Sequence, residues 1–155
     1  MKKDLVIGDK APEIKLKNQN EEIIVMSELK ENIILFFYPK DNTPGCTTEA
    51  KEFTKYISQF NDNDFAVIGI SKDSTEKHRN FIQKHKLKVD LLSDKDRNVC
   101  ERYGVWKEKN MYGKIFMGIE RATFIINQDK NILNIWRKVK VKDHVKEVLS
   151  EVKKI

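Results

Sequence analysis

The run Asn32-Ile33-Ile34-Leu35-Phe36-Phe37-Tyr38 constrains this chain more than any other stretch. Its apolar residues are β-branched and aromatic, and they stop at Pro39, which fits a fully buried central strand. A strand buried on both faces belongs to an α/β sheet with helices on each side. The run Ile33 to Tyr38 is also the longest uninterrupted apolar stretch, far short of the ~20 residues that a membrane-spanning helix needs. The N-terminus reaches Gly8-Asp9-Lys10 after only Leu5-Val6-Ile7, too short for the apolar region of a secretory signal. A cytoplasmic location is therefore expected, with thiols kept reduced.

Alternating elements come next. Ala50, Phe53, Ile57 and Phe60 recur at helical spacing and predict one amphipathic helix after the loop Pro39 to Gly45. Phe65 to Ile70 reads as a second buried strand, about Ser74 to His85 as a polar helix, and Leu91-Leu92 as a short strand. Asp96 to Tyr103 reads as a short helix closed by Gly104 in a left-handed C-cap. Arg121 to Ile126 and Ile132 to Trp136 flank the polar segment Asn127 to Asn131 as a hairpin. Val145, Val148, Leu149 and Val152 line a last helix with Asp143 as its expected N-cap. The order predicts an α/β thioredoxin-like fold: a central mixed β-sheet flanked by helices, with an N-terminal extension around Ile14 to Leu16 and Ile23 to Val25.

With 155 residues and no repeat, low-complexity tract or Gly/Ser/Pro-rich linker, the chain is expected to form one domain over 1–155. Two cysteines exclude a disulfide-stapled scaffold, and six glycines exclude a collagen-like one. The net charge of +6 raises the question of nucleic acid, but lysines interleaved with acids, as in Lys84-His85-Lys86-Leu87-Lys88-Val89-Asp90, describe a solvated surface. No nucleic-acid or membrane partner is expected.

The chemistry concentrates in Tyr38-Pro39-Lys40-Asp41-Asn42-Thr43-Pro44-Gly45-Cys46-Thr47-Thr48-Glu49, where a buried strand hands over to a helix. Backbone N–H groups in a helix's first turn have no intrahelical partner and the dipole is positive there, so a thiolate at Cys46 is favoured over a thiol. A free cysteine is most often a small buried apolar residue. Pro44 and Gly45 instead mark a turn at the carboxyl end of a strand, where α/β folds place their sites.

The spacing Pro39-x-x-x-Thr43-x-x-Cys46 resembles the peroxidatic motif of the peroxiredoxins. Thr47-Thr48-Glu49-Ala50, Asp94-Lys95-Asp96, Tyr103-Gly104-Val105-Trp106, Met111-Tyr112-Gly113-Lys114 and Met117 to Phe124 are similar to the bacterioferritin-comigratory-protein (PrxQ) branch, over nearly the whole chain. The resemblance implies that Cys46 is the peroxidatic cysteine, that Thr43 hydrogen-bonds the thiolate and the bound peroxide, and that Pro39 shields the pocket. It implies that Arg121 holds the thiolate and polarises the peroxide, with Glu49 orienting Arg121. The activity implied is thiol-dependent reduction of hydrogen peroxide and organic hydroperoxides, without cofactor, with thioredoxin or another small thiol as reductant. A monomer is expected, with a dimer as the alternative.

The sequence departs from the branch in its second thiol. Many members carry a resolving cysteine five positions after the first, where this chain has Lys51; others carry it in the next helix, and Ser74 to Lys86 contains none. Cys100 is the remaining candidate, against the alternative of a buried structural cysteine beside Val99 and Tyr103. The absent Cys-x-x-Cys disfavours a disulfide oxidoreductase, and the missing resolver leaves a non-catalytic holdase or binding module as the alternative function. His78, His85 and His144 have no metal-ligand spacing and are expected at the surface, with no metal bound. Trp106, Tyr112 and Phe116 are expected in the core.

Overall fold

The computed structural model describes residues 4–155. Nine strands and five α-helices are arranged as β1 (Lys15–Lys17), β2 (Ile23–Val25), β3 (Asn32–Phe37), α1 (Pro44–Lys55), α2 (Ile57–Asp62), β4 (Phe65–Ser71), α3 (Thr75–His85), β5 (Asp90–Ser93), α4 (Asn98–Arg102), β6 (Trp106–Met111), β7 (Lys114–Ile119), β8 (Ala122–Ile126), β9 (Ile132–Trp136) and α5 (His144–Lys153). The buried run is β3, at the centre of a seven-stranded sheet of order β2-β1-β5-β4-β3-β8-β9. β3 pairs in parallel with β4 and antiparallel with β8. β4 and β5 are parallel, and β9 closes an antiparallel hairpin on β8. β1 and β2 are the expected extension, added antiparallel at the β5 edge. The mixed sheet is the expected thioredoxin-like arrangement.

Successive side chains of a strand point to opposite faces, and β3 separates two cores accordingly. Ile34, Phe36 and Tyr38 meet Cys46, Ala50 and Phe53 of α1, Phe60 of α2, Phe81 of α3, and Val145, Val148, Leu149 and Val152 of α5. Ile33, Leu35 and Phe37 face the other way, onto Val99, Cys100 and Tyr103 together with Ile14 and Met26. Phe53 stacks on Phe36 with ring centroids 4.6 Å apart, fixing α1 against the central strand. Cys46 and Cys100 therefore lie in cores on opposite faces of one sheet.

Several local expectations are corrected. The single helix after Gly45 is two, because Tyr56 (φ −102°, ψ 10°) interrupts it while the buried face of Ala50, Phe53 and Phe60 is kept. The short helix begins only at Asn98, and its free N–H groups at Val99 and Cys100 donate to the Asp94 carboxylate. Asp143 occupies the N-cap position of α5 in a left-handed conformation, without a side-chain capping bond. Gly104 does adopt positive φ, +72°, after α4. Residues 106–119 form the antiparallel hairpin β6–β7, turning through Tyr112 and Gly113, both at positive φ. Tyr112 and Phe116 are exposed on it, not in the core, while Trp106 packs against the second core. His85 is near the surface as expected, but His78 and His144 are buried: His78 pairs with Asp41, and His144 Nε2 lies 2.8 Å from Thr123 Oγ1.

Candidate active site

α1 starts at Pro44, whose missing N–H costs nothing at the first position of a helix. Thr43 is the N-cap residue, and Thr47 N–H donates to its carbonyl at 2.9 Å to close the first turn. Cys46 thus sits in the first turn of a twelve-residue helix, 2% exposed, beneath the loop that leaves β3. Arg121, just ahead of β8, reaches it from the neighbouring strand: Nη2 donates to Cys46 Sγ at 3.3 Å and Nη1 to Glu49 Oε1 at 2.7 Å. Glu49 is one helical turn after Cys46 and fully buried, so one face of α1 presents both the thiol and the acid that aims the guanidinium. Gly45 makes room for this arrangement, since a Cβ there would stand 3.2 Å from Arg121 Nη2.

The electrostatics are those of a tightly packed charge cluster. Burial pushes the Glu49 carboxyl up to about 7, with the Arg121 charge opposing; its second oxygen, Oε2, is buried with no hydrogen-bond partner among the described residues. Burial works against the Arg121 charge, but Glu49 and Cys46 outweigh it and hold the guanidinium above its usual range. The cation is thus fixed at the sulfur.

The structure brings Cys46, Arg121 and Glu49 together as a bonded set, with Thr43 and Pro39 on the overlying loop. One expected contact is not formed. Thr43 Oγ1 donates to the Lys40 carbonyl at 2.8 Å rather than to the thiolate, because the loop turns back on itself between Lys40 and Thr43. Cys100 is buried in the opposite core, and burial followed by the nearby Asp94 pushes its thiol far up.

Two features escaped sequence reasoning. Lys109, on β6, is half-buried and lies within electrostatic reach of the site: burial and then Arg121 push its ammonium down, while Cys46 and Glu120 oppose. Its strand lacked a readable period, so nothing in the sequence aimed it inward. The second is a buried cluster of Tyr38, Asp41 and His78, with Asp41 in the active-site loop itself. His78, Phe81, Ile82 and His85 share one helical face, and that spacing was the available signal that His78 turns inward. Among the described residues, no group of three or more His, Cys, Asp or Glu side chains is placed to hold a metal ion. No helix among them is long and apolar enough to cross a membrane.

The AhpC/TSA family model matches residues 7–135. Peroxiredoxin Bcp of Bacillus subtilis is 48% identical over 148 residues, spanning 95% of this chain and 94% of its own length. A cysteine-to-serine mutant of PrxQ from Xylella fastidiosa has the same fold at a TM-score of 0.92 and 37% identity, covering 99% of this chain and 98% of that one. The bacterioferritin comigratory protein of Xanthomonas campestris, studied for alkyl peroxide reduction, matches at a TM-score of 0.86 and 37% identity over 91% of this chain and 90% of its own. Family, fold and relatives agree with a cysteine held against an arginine at a helix N-terminus: the chain belongs to the AhpC/TSA family, in its Bcp (PrxQ) peroxiredoxin branch, and is a thiol-dependent peroxidase.

Proposed function

We propose that Cys46 is the peroxidatic cysteine of a one-cysteine enzyme that reduces hydrogen peroxide and organic hydroperoxides, with thioredoxin or another small thiol restoring it from outside. The observation that carries the reading is the Arg121 guanidinium, bonded at once to Cys46 Sγ at 3.3 Å and to Glu49 at 2.7 Å. Attack of the thiolate on one peroxide oxygen forms an S–O bond and breaks the O–O bond, leaving a sulfenic acid on Cys46 and an alkoxide or hydroxide that takes a proton to become alcohol or water. Negative charge develops on the departing oxygen, so a cation already fixed at the sulfur lowers the barrier without reorganising. Glu49 keeps that cation aimed.

Thr43 has its proton committed to Lys40, which leaves its oxygen lone pairs to accept the O–H of the incoming peroxide. Pro39 follows the buried Tyr38 on the same loop and shields the pocket. The sulfenic acid is then attacked by an external thiol, releasing water and forming a mixed disulfide; a second thiol frees Cys46 and leaves as the oxidised donor. We read Cys100 as structural, because the sheet stands between the two thiols and a disulfide needs Cα atoms within roughly 7 Å. We further read the protein as a cytoplasmic monomer folded as one domain, with both thiols reduced and no nucleic-acid or membrane partner. The guanidinium held on the thiol favours turnover over a holdase, which has no use for it.

Peroxide consumption with an external dithiol tests the reading. Cys46→Ser is expected to abolish turnover, and Cys100→Ala to retain it per folded molecule. Loss of turnover in Cys100→Ala with its fold intact would contradict the one-cysteine cycle.

A further inference from the structure

The loop from β3 to α1 carries Pro39 and Thr43 to the site, yet its middle is held by a helix that takes no part in the chemistry. Asp41 is 6% exposed and bonded on three sides. Tyr38 Oη donates to its Oδ1 at 2.6 Å, His78 Nδ1 of α3 stands 2.7 Å from its Oδ2, and its own N–H donates to Asp73 Oδ2 at 2.8 Å. Ser71 Oγ donates to the same Asp73 oxygen and steadies it, at 2.8 Å. His78 has no exposed surface, and its Nε2 lies 3.0 Å from the Leu92 carbonyl, which can only accept. Nε2 therefore donates to that carbonyl, while Nδ1 faces the Asp41 carboxylate.

Asp41 sets the course of the backbone toward the thiol. Asn42 takes a left-handed turn at φ +61°, Thr43 Oγ1 returns to the Lys40 carbonyl, and α1 begins at the next residue. The path from Lys40 to Cys46 is short and closed on itself, so displacement of Asp41 moves Thr43 and the first turn of α1 together. A buried ion pair is a weak source of stability, since apolar side chains of similar volume often serve as well, but removing one partner expels the other. Phe81, one turn further along α3, fills the same core with an apolar ring. The polar pair gives what a ring cannot: a fixed direction for the loop.

We propose that His78 is a positioning residue for the peroxide reaction, acting through Asp41 to hold the Pro39–Thr43 loop and the first turn of α1 where Cys46 meets peroxide. The proposal rests on the reading of Cys46 as the peroxidatic cysteine. α3 then does two things: it buries Phe81 for the fold, and it sets the loop for the site.

The test compares His78→Gln, the milder Tyr38→Phe and the double variant Asp41→Asn/His78→Gln. The rate of sulfenic-acid formation on Cys46 is measured by trapping with a dione and peptide mass spectrometry, corrected for the folded fraction from melting curves. His78→Gln is expected to lower the rate about tenfold or more, as misplaced reacting groups do, and Tyr38→Phe about threefold with the fold intact. The double variant, a neutral amide pair without the stranded charge, is expected to recover most of the loss. A merely structural His78 would lower the melting temperature and leave the rate per folded molecule within about twofold in both single variants, and that result overturns the proposal. A wild-type enzyme whose Cys46 takes no oxygen from peroxide would overturn the reading of Cys46 itself, an outcome distinct from unchanged variants on a reactive wild type.

Discussion

The Arg121 guanidinium divides its donors between Glu49 and Cys46, and the absence of a side chain at Gly45 is what lets it lie there. An added Cβ at 3.2 Å from Nη2 forces the guanidinium to give by a few tenths of an ångström. Alanine also favours a helix over glycine by up to ~1 kcal/mol, so structure and chemistry should respond in opposite senses. Gly45→Ala is expected to melt at the same temperature or higher while its peroxide rate constant falls about fivefold or more, because position at the reacting atoms is worth more than helix propensity. A variant as fast as the wild type would show that the Nη2 contact with the sulfur contributes little. The sequence marked Cys46, Thr43, Pro39, Arg121 and Glu49 one by one through a motif. The pairing of Arg121 with Glu49, 72 positions apart, is legible only through the resemblance, and that of His78 with Asp41, 37 apart, not at all. Polar residues read singly are expected in water; Glu49, Asp41 and His78 are buried because each finds its partner across the fold.

At the scale of elements, α4 shows how a side chain outside a helix decides where it begins. Its five residues are too few to hold themselves, and the Asp94 carboxylate at the end of β5 accepts from Val99 N–H at 3.3 Å and Cys100 N–H at 2.8 Å. Asp94→Ala is expected to cost about 1–2 kcal/mol in denaturant unfolding, the usual range for a lost cap, with peroxidase activity unchanged in the folded enzyme. Activity lost together with stability would tie α4 to the site across the sheet. Elements with a strong period were legible: β3, β4, the face of α1 and α2, α3, the hairpin β8–β9 and α5. The hairpin β6–β7 was not, because Trp106-Lys107-Glu108-Lys109-Asn110-Met111 mixes charge into both of its half-exposed faces and Tyr112 is not a residue that announces a positive-φ turn. The break at Tyr56 was equally silent, since the apolar spacing runs through it.

The whole molecule places Cys46 and Cys100 on opposite sides of one sheet, and the buried groups Glu49 and His144 have opposing pH effects. Glu49 keeps its proton up to about pH 7 when folded but only to its usual 4.5 when unfolded, so its contribution is full below 4.5 and is lost as the pH rises to 7. His144 runs the other way: burial lowers it from its usual 6.5 to about 4, so its contribution is full above 6.5 and is lost as the pH falls toward 4. The two offset each other over their common window. Glu49→Gln removes one side, so its melting temperature is expected to drop on acidification from 6.5 to 4.5 more steeply than that of the wild type. Parallel profiles would mean that Glu49 is charged throughout. A carboxyl whose ionisation burial opposes up to about pH 7 is tolerated there because it aims Arg121.

In the proposed cycle Cys46 alone carries the peroxide chemistry while Cys100, behind the sheet, stays out of it. Intact-protein mass spectrometry after one equivalent of peroxide, on the wild type, Cys46→Ser and Cys100→Ala, measures this most directly. A gain of one oxygen is expected in the wild type and in Cys100→Ala, and none in Cys46→Ser. A loss of two hydrogens that requires both cysteines would contradict it, since the two thiols would then have to meet around the sheet.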